Sequence, residues 1–206
     1  MKTEIFTFTG YNIRGPSADS GVYRKGSVAM KVICYGDSNT YGFDPRSFFG
    51  SRYEAPWPEL LAQRTGWQVI NQGENGREIP KSPVSFPDDT DLLILMLGTN
   101  DLLQSRTPGE TAQRMAHFLT SLDLDREKIL LLAPPPMALG EWVADAGLIQ
   151  AAQALADCYE SLASDLDIRF SRIGCGKAMA YDGVHLTQEG HRLFAQNLYD
   201  YLHNGG

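Results

Sequence analysis

Five short apolar runs punctuate the chain: Lys31–Tyr35 (KVICY), Trp67–Asn71 (WQVIN), Leu92–Leu97 (LLILML), Ile129–Ala133 (ILLLA) and Asp167–Phe170 (DIRF). The middle three show little alternation between apolar and polar residues, which suits strands covered on both faces rather than strands with one face in water. The fifth run carries the weakest strand signal. Helical signals fill the gaps. Pro56–Ala62 carries Trp57, Leu60 and Leu61 at helical spacing. Thr107-Pro-Gly-Glu110 reads as a capping box with proline at the first helical position, and Met115, Phe118 and Leu119 supply an apolar face behind it. The stretch from Ala144 to Leu166 is the longest helix candidate, with Gly147 as a break near its start. Thr187 is placed to cap a last helix bearing Phe194, Leu198 and Tyr201. Strands alternating with helices predict a doubly wound α/β domain with a parallel sheet over residues 31–204.

At 206 residues, 43% hydrophobic and 21% charged, the chain is long and apolar enough to bury one core. The net charge of -7 and the lack of any Lys/Arg stripe argue against nucleic acid or an anionic membrane as partner. No stretch is long and apolar enough to span a bilayer. The three cysteines (Cys34, Cys158, Cys175) form no disulfide framework; Cys34 reads as a small core residue, and a Cys158–Cys175 pair stays open. Residues 1–29 have no apolar segment of the secretory kind, so a cytoplasmic location is expected. Met30 directly precedes the first strand and is the expected natural start. Residues 1–29 are then an extension to a domain over 30–206, the alternative being an arm packed on that domain.

In parallel α/β sheets, ligands bind beyond the carboxyl ends of the strands. The unusual polar residues of this chain follow those ends: Gly36-Asp-Ser-Asn-Thr40, Gly73-Glu-Asn-Gly76, Gly98-Thr-Asn-Asp101 and Pro134-Pro-Pro136. Ser38 sits in a turn at a strand end. It is either a nucleophile or simply a helix cap, since serine is favoured there. A serine hydroxyl needs a base to become nucleophilic, and His185 in Asp182-Gly-Val-His185 is the best of four histidines. Asp182 is near enough to orient its ring, though Asp-Gly is also an ordinary turn pair. Gly73 and Asn100 offer a backbone N–H and a side-chain amide as oxyanion donors beside the Ser38 N–H. His191 falls within the last helix, where it faces solvent or packs on a neighbour; His117 and His203 read as surface residues. Asp37 and Asp101 are expected to stabilise loops through backbone N–H groups, and Arg77 to anchor the second loop through a carboxylate. Trp57, Phe43 and Met137 suit an acyl pocket or the core equally well.

These blocks, in the order Gly36-Asp37-Ser38, Gly73, Gly98-Thr-Asn100-Asp101 and Asp182-Gly-Val-His185, resemble the GDSL or SGNH hydrolases over residues 31 to about 200. The resemblance implies a flavodoxin-like three-layer α/β/α sandwich with a five-stranded parallel sheet. It implies Ser38 as nucleophile, His185 as base, Asp182 as its orienting partner, and Ser38, Gly73 and Asn100 as the oxyanion hole. It also implies a reaction with no metal and no organic cofactor. MLGTNDL at 96–102, the run Gly73–Arg77 and the proline turn look like the arylesterase/acyltransferase group, whose members act on short acyl esters and in some cases pass the acyl group to alcohols. Asn39 departs from the wider family, where Leu or Ile is frequent after the nucleophile. The compact span from Asp101 to Ile129 leaves little room for a lid, which suits small acyl groups. The expected partner is a small-molecule ester, and a homo-oligomer is compatible with the sequence. The rival readings are a carbohydrate O-acetyl esterase, a silent carbohydrate-binding relative, and a non-catalytic flavodoxin-like ligand-binding protein. Against the last, Asp37 would face a phosphate and no basic residue flanks the loop.

Overall fold

The computed structural model describes residues 29–47 and 51–204. The expected extension over residues 1–29 lies almost wholly outside that range. Five parallel strands form one sheet: β1 (Lys31–Gly36), β2 (Gln68–Gly73), β3 (Leu92–Met96), β4 (Ile129–Leu132) and β5 (Arg169–Ser171). Their order across the sheet is β2-β1-β3-β4-β5, the flavodoxin-like winding, so strand order reverses at β1/β3. The α-helices among the described residues are α1 (Ser38–Tyr41), α2 (Trp57–Thr65), α3 (Thr99–Leu103), α4 (Pro108–Thr120), α5 (Ala146–Leu166) and α6 (Gln188–Asn204).

The uninterrupted apolar run of β3 is explained by what covers it. Leu93 and Leu95 point into a core shared with Met115 and Phe118 of α4 and Leu155 and Tyr159 of α5. Leu92, Ile94 and Met96 point the other way, against Trp57 and Leu61 of α2 and Phe194 and Leu198 of α6. Neither face of the central strands reaches water, so no polar alternation is needed. Trp57 and Met137 are both core residues.

Local chemistry sets the helix ends. Thr107 Oγ1 accepts from the Glu110 N–H at 3.2 Å while the Glu110 carboxylate accepts from the Thr107 N–H at 2.8 Å, completing the capping box ahead of α4. A cap of this kind is worth about 1 kcal/mol. Asp145 caps α5 through the Gly147 N–H at 2.6 Å, so Gly147 belongs to the first turn instead of breaking the helix. Thr187 Oγ1 accepts from the Gly190 N–H at 3.1 Å and starts α6 where expected. All three cysteines are free. No described helix is long and apolar enough to cross a membrane.

Candidate active site

The site is built at the reversal of strand order. β1 ends in Gly36 and turns at once into α1. Asp37 is the residue that caps this helix: its Oδ1 accepts from the Asn39 N–H at 2.9 Å. Ser38 is therefore the first helical residue and not the cap, which leaves its hydroxyl free of local work. Burial pushes the Asp37 carboxyl up to about 6 against its N–H bonds.

Across the sheet edge stands the Asp182–His185 turn. Asp182 is fully buried and accepts three hydrogen bonds. Its Oδ1 takes the N–H groups of Val184 and His185 at 2.9 and 3.0 Å, and its Oδ2 takes the His185 Nδ1–H at 2.6 Å. Burial alone would raise this carboxyl. Hydrogen bonds from the His185 ring and from the His185 and Val184 N–H groups outweigh it and hold the group below the ordinary carboxylate value. An ionised carboxylate only accepts, so the ring proton sits on Nδ1 and Nε2 is the acceptor. Nε2 lies 2.9 Å from Ser38 Oγ, which then donates to it. Ser38, His185 and Asp182 thus form one continuous relay that joins the start of α1 to a turn far along the chain. Phe43 and Trp142 flank the imidazole, their ring centroids 4.8 and 5.2 Å away.

Asn100 enters from the first turn of α3. Its Nδ2 donates to the Arg77 carbonyl at 3.0 Å, and Asp101 Oδ2 accepts from the Ile79 N–H at 3.0 Å, so α3 latches the loop that follows β2. Arg77 also holds this loop. It donates to the Gly36 carbonyl at 2.9 Å and to that of Gln72, pairs with Glu74 at 2.6 Å, and lies over the Tyr35 ring. The anchoring carboxylate expected for Arg77 is Glu74.

Gly73 does not take the place expected of it. Its N–H already donates to Asn71 Oδ1 at 2.9 Å. It pairs with Gly36 at the ends of β2 and β1, where a Cβ would stand 2.0 Å from the Tyr41 N atom. Gly73 is a glycine because α1 folds back over it, and its donor is already engaged. Gly76, with φ +74°, lines the cleft beside Ser38 and Asn100 instead. The N–H groups of Ser38 and Gly76 donate to no acceptor among the described residues. The Asn75-Gly76 dipeptide, a common signature of left-handed turns, was the available signal for it. Phe43 and Trp142 line the same cleft, which has a volume of about 140 Å³. A larger hollow of about 680 Å³, lined by Arg46, Tyr53 and Met179 among others, touches none of Ser38, Asp182 and His185.

The family model of the GDSL-like lipase/acylhydrolases matches residues 34–193. The chain belongs to this family. Its members being ester hydrolases, this GDSL-like protein is a carboxylic ester hydrolase. Among solved structures, the native aryl esterase of M. smegmatis is 26% identical with a TM-score of 0.70, covering 85% of this chain and 99% of that one. A carbohydrate acetylesterase family member from Sinorhizobium meliloti is 27% identical with a TM-score of 0.68, covering 84% and 97%. No curated protein matches the chain.

Proposed function

We propose that this GDSL-like hydrolase cleaves short-chain carboxylic esters through an acyl-enzyme on Ser38. The observation that carries the proposal is the hydrogen-bonded relay from Asp182 through His185 to Ser38, opening on a cleft of about 140 Å³. Ser38 Oγ attacks the ester carbonyl carbon as His185 Nε2 takes its proton, and the Asp182 carboxylate stabilises the imidazolium. The carbonyl oxygen becomes an oxyanion, received by the N–H groups of Ser38 and Gly76 and by the second amide hydrogen of Asn100. Collapse expels the alcohol, which His185 protonates. Water, deprotonated by His185 in turn, attacks the acyl carbon and releases the acid and Ser38. An alcohol in place of water yields a new ester, which is transfer instead of hydrolysis.

Two features support a short acyl chain and an aromatic alcohol. The cleft is smaller than the roughly 300–1,000 Å³ usual for drug-sized ligands. The alcohol leaves beside His185, the very ring that Phe43 and Trp142 flank. Apolar walls there favour an aryl ester over an acetylated sugar, whose hydroxyls need polar partners. The test is turnover of p-nitrophenyl esters from acetate to decanoate by wild type and Ser38→Ala. Acetate to butyrate should be cleaved fastest, and Ser38→Ala should lose at least about 10³-fold. A maximum at decanoate overturns the short-acyl reading, and equal activity in the two proteins overturns the nucleophile.

A further inference from the structure

Asn39 follows the nucleophile and is 1% exposed, yet its side chain is polar. Its Nδ2 donates to the Val184 carbonyl at 3.1 Å and its Oδ1 accepts from the Leu186 N–H at 2.9 Å. These two backbone groups lie on either side of His185 in sequence. One amide thus grips the chain immediately before and immediately after the ring that faces Ser38. Only one orientation of the amide pairs a donor with an acceptor at both points, so the contact is directional. Asn39 is itself fixed, because its own N–H is held by Asp37 Oδ1 at 2.9 Å. The other bonds of the turn run elsewhere: Ala180 N–H to the His185 carbonyl at 2.7 Å and Ala138 N–H to the Gly183 carbonyl at 2.9 Å. Apart from the Ser38–His185 pair, the hydrogen bonds from α1 to this turn come from Asn39 alone among the described residues.

We infer that Asn39 is a positioning residue that fixes the distance between Ser38 Oγ and His185 Nε2 by clamping the His185 turn onto α1. The inference rests on the acyl-enzyme reading. It makes the alignment of nucleophile and base depend on a side chain that touches neither the ester nor the proton in transfer. Proton transfer is steep in donor–acceptor geometry, and a displacement of about 1 Å in a catalytic group can cost about 10²-fold.

The test compares wild type, Asn39→Leu, Asn39→Asp and Ser38→Ala. It reads kcat and KM for p-nitrophenyl acetate, the rate of Ser38 phosphonylation by a small fluorophosphonate, and the folded fraction by circular dichroism. Leucine removes both grips; aspartate keeps the acceptor for Leu186 and loses the donor for Val184. Asn39→Leu is expected to lower kcat by about 10²-fold per folded molecule with KM within about threefold, and phosphonylation should slow by the same factor. Asn39→Asp should fall between leucine and wild type. If Asn39→Leu does not fold, Asn39→Asp decides alone. Rates within about threefold of wild type per folded molecule, with Ser38→Ala inactive, overturn the clamp and leave the acyl-enzyme reading standing. A rise in KM at unchanged kcat also overturns it, because that marks a substrate contact. Failure of both variants to fold overturns it in favour of a purely structural role. Activity retained in Ser38→Ala overturns the acyl-enzyme reading and the clamp together.

Discussion

The Asp182–His185 turn and the start of α6 each bury a histidine, at 3% exposure for His185 and 1% for His191, and the two rings are put to opposite uses. His185 has both nitrogens engaged, Nδ1 with Asp182 and Nε2 with Ser38, and it borders the cleft. His191 accepts from the Trp57 N–H at a long 3.4 Å, and its Nε2 has no hydrogen-bond partner among the described residues. It packs against Tyr53, ring centroids 5.4 Å apart. Burial, reinforced by repulsion from an imidazolium at His185 and from Arg52, pushes the His191 imidazole down to about 3, so it stays neutral at ordinary pH. Burial by itself makes a histidine into neutral packing. A carboxylate held at the right nitrogen is what equips the other to receive and keep a proton.

The comparison is broken most directly by exchanging the losses. His185→Ala should lower kcat/KM for p-nitrophenyl acetate on the order of 10⁶-fold, the scale on which a nucleophile–base unit fails as one. His191→Asn should stay within about threefold of wild type in turnover while losing stability, since it shortens a packed side chain. Similar activity losses in the two variants would erase the distinction. The next effect in size comes from making His185 resemble His191. Asp182→Asn keeps an oxygen for the Val184 and His185 N–H groups, so the turn survives, but it removes the anion that fixes the Nδ1–H tautomer. A loss of about 10⁴-fold in kcat is expected. A loss below about tenfold would show that the ring is oriented without the carboxylate.

Most of the architecture could be read from the chain because it depends on local pattern. The LLILML run announced a strand covered on both faces, and Thr107-Pro-Gly-Glu110 announced the start of α4. The boundaries that slipped depend on pairing. β2 runs on through Gln72 and Gly73, polar or small residues, because they continue the ladder beside Tyr35 and Gly36 of β1. β5 has only three residues at a sheet edge, too few to show a period. The Asp182–His185 pair was legible because both members lie in one turn. The choice between Gly73 and Gly76 was not, since both lie on one short polar run. Which N–H is free depends on where the Asn71 side chain goes and on α1 passing over Gly73. Asn39 was legible only as an unusual polar neighbour of Ser38, for its partners are 145 and 147 residues away in the chain.

The smallest expected effect concerns acid stability, and it sharpens what burial does to His191. The unfolded chain protonates His191 near its ordinary 6.5, while the folded protein does so only near 3. Between those values the unfolded state binds more protons, so acidification through that window removes stability. Asp37 works in the opposite direction. Its carboxyl protonates near 6 in the folded protein and near 3.8 unfolded, because burial disfavours its charge. Acidification across that window therefore adds stability at a similar slope, and the two contributions nearly cancel between pH 6 and 3.8. Urea unfolding at a series of pH values separates them. Relative to wild type, His191→Asn should gain stability on acidification through the window, because only the Asp37 contribution remains. Asp37→Asn should lose it, because only His191 remains, and the double variant should track wild type. Groups common to all four proteins drop out of these differences. Four parallel curves would mean that neither group titrates differently on folding, and the contrast between the two buried histidines would then rest on geometry alone.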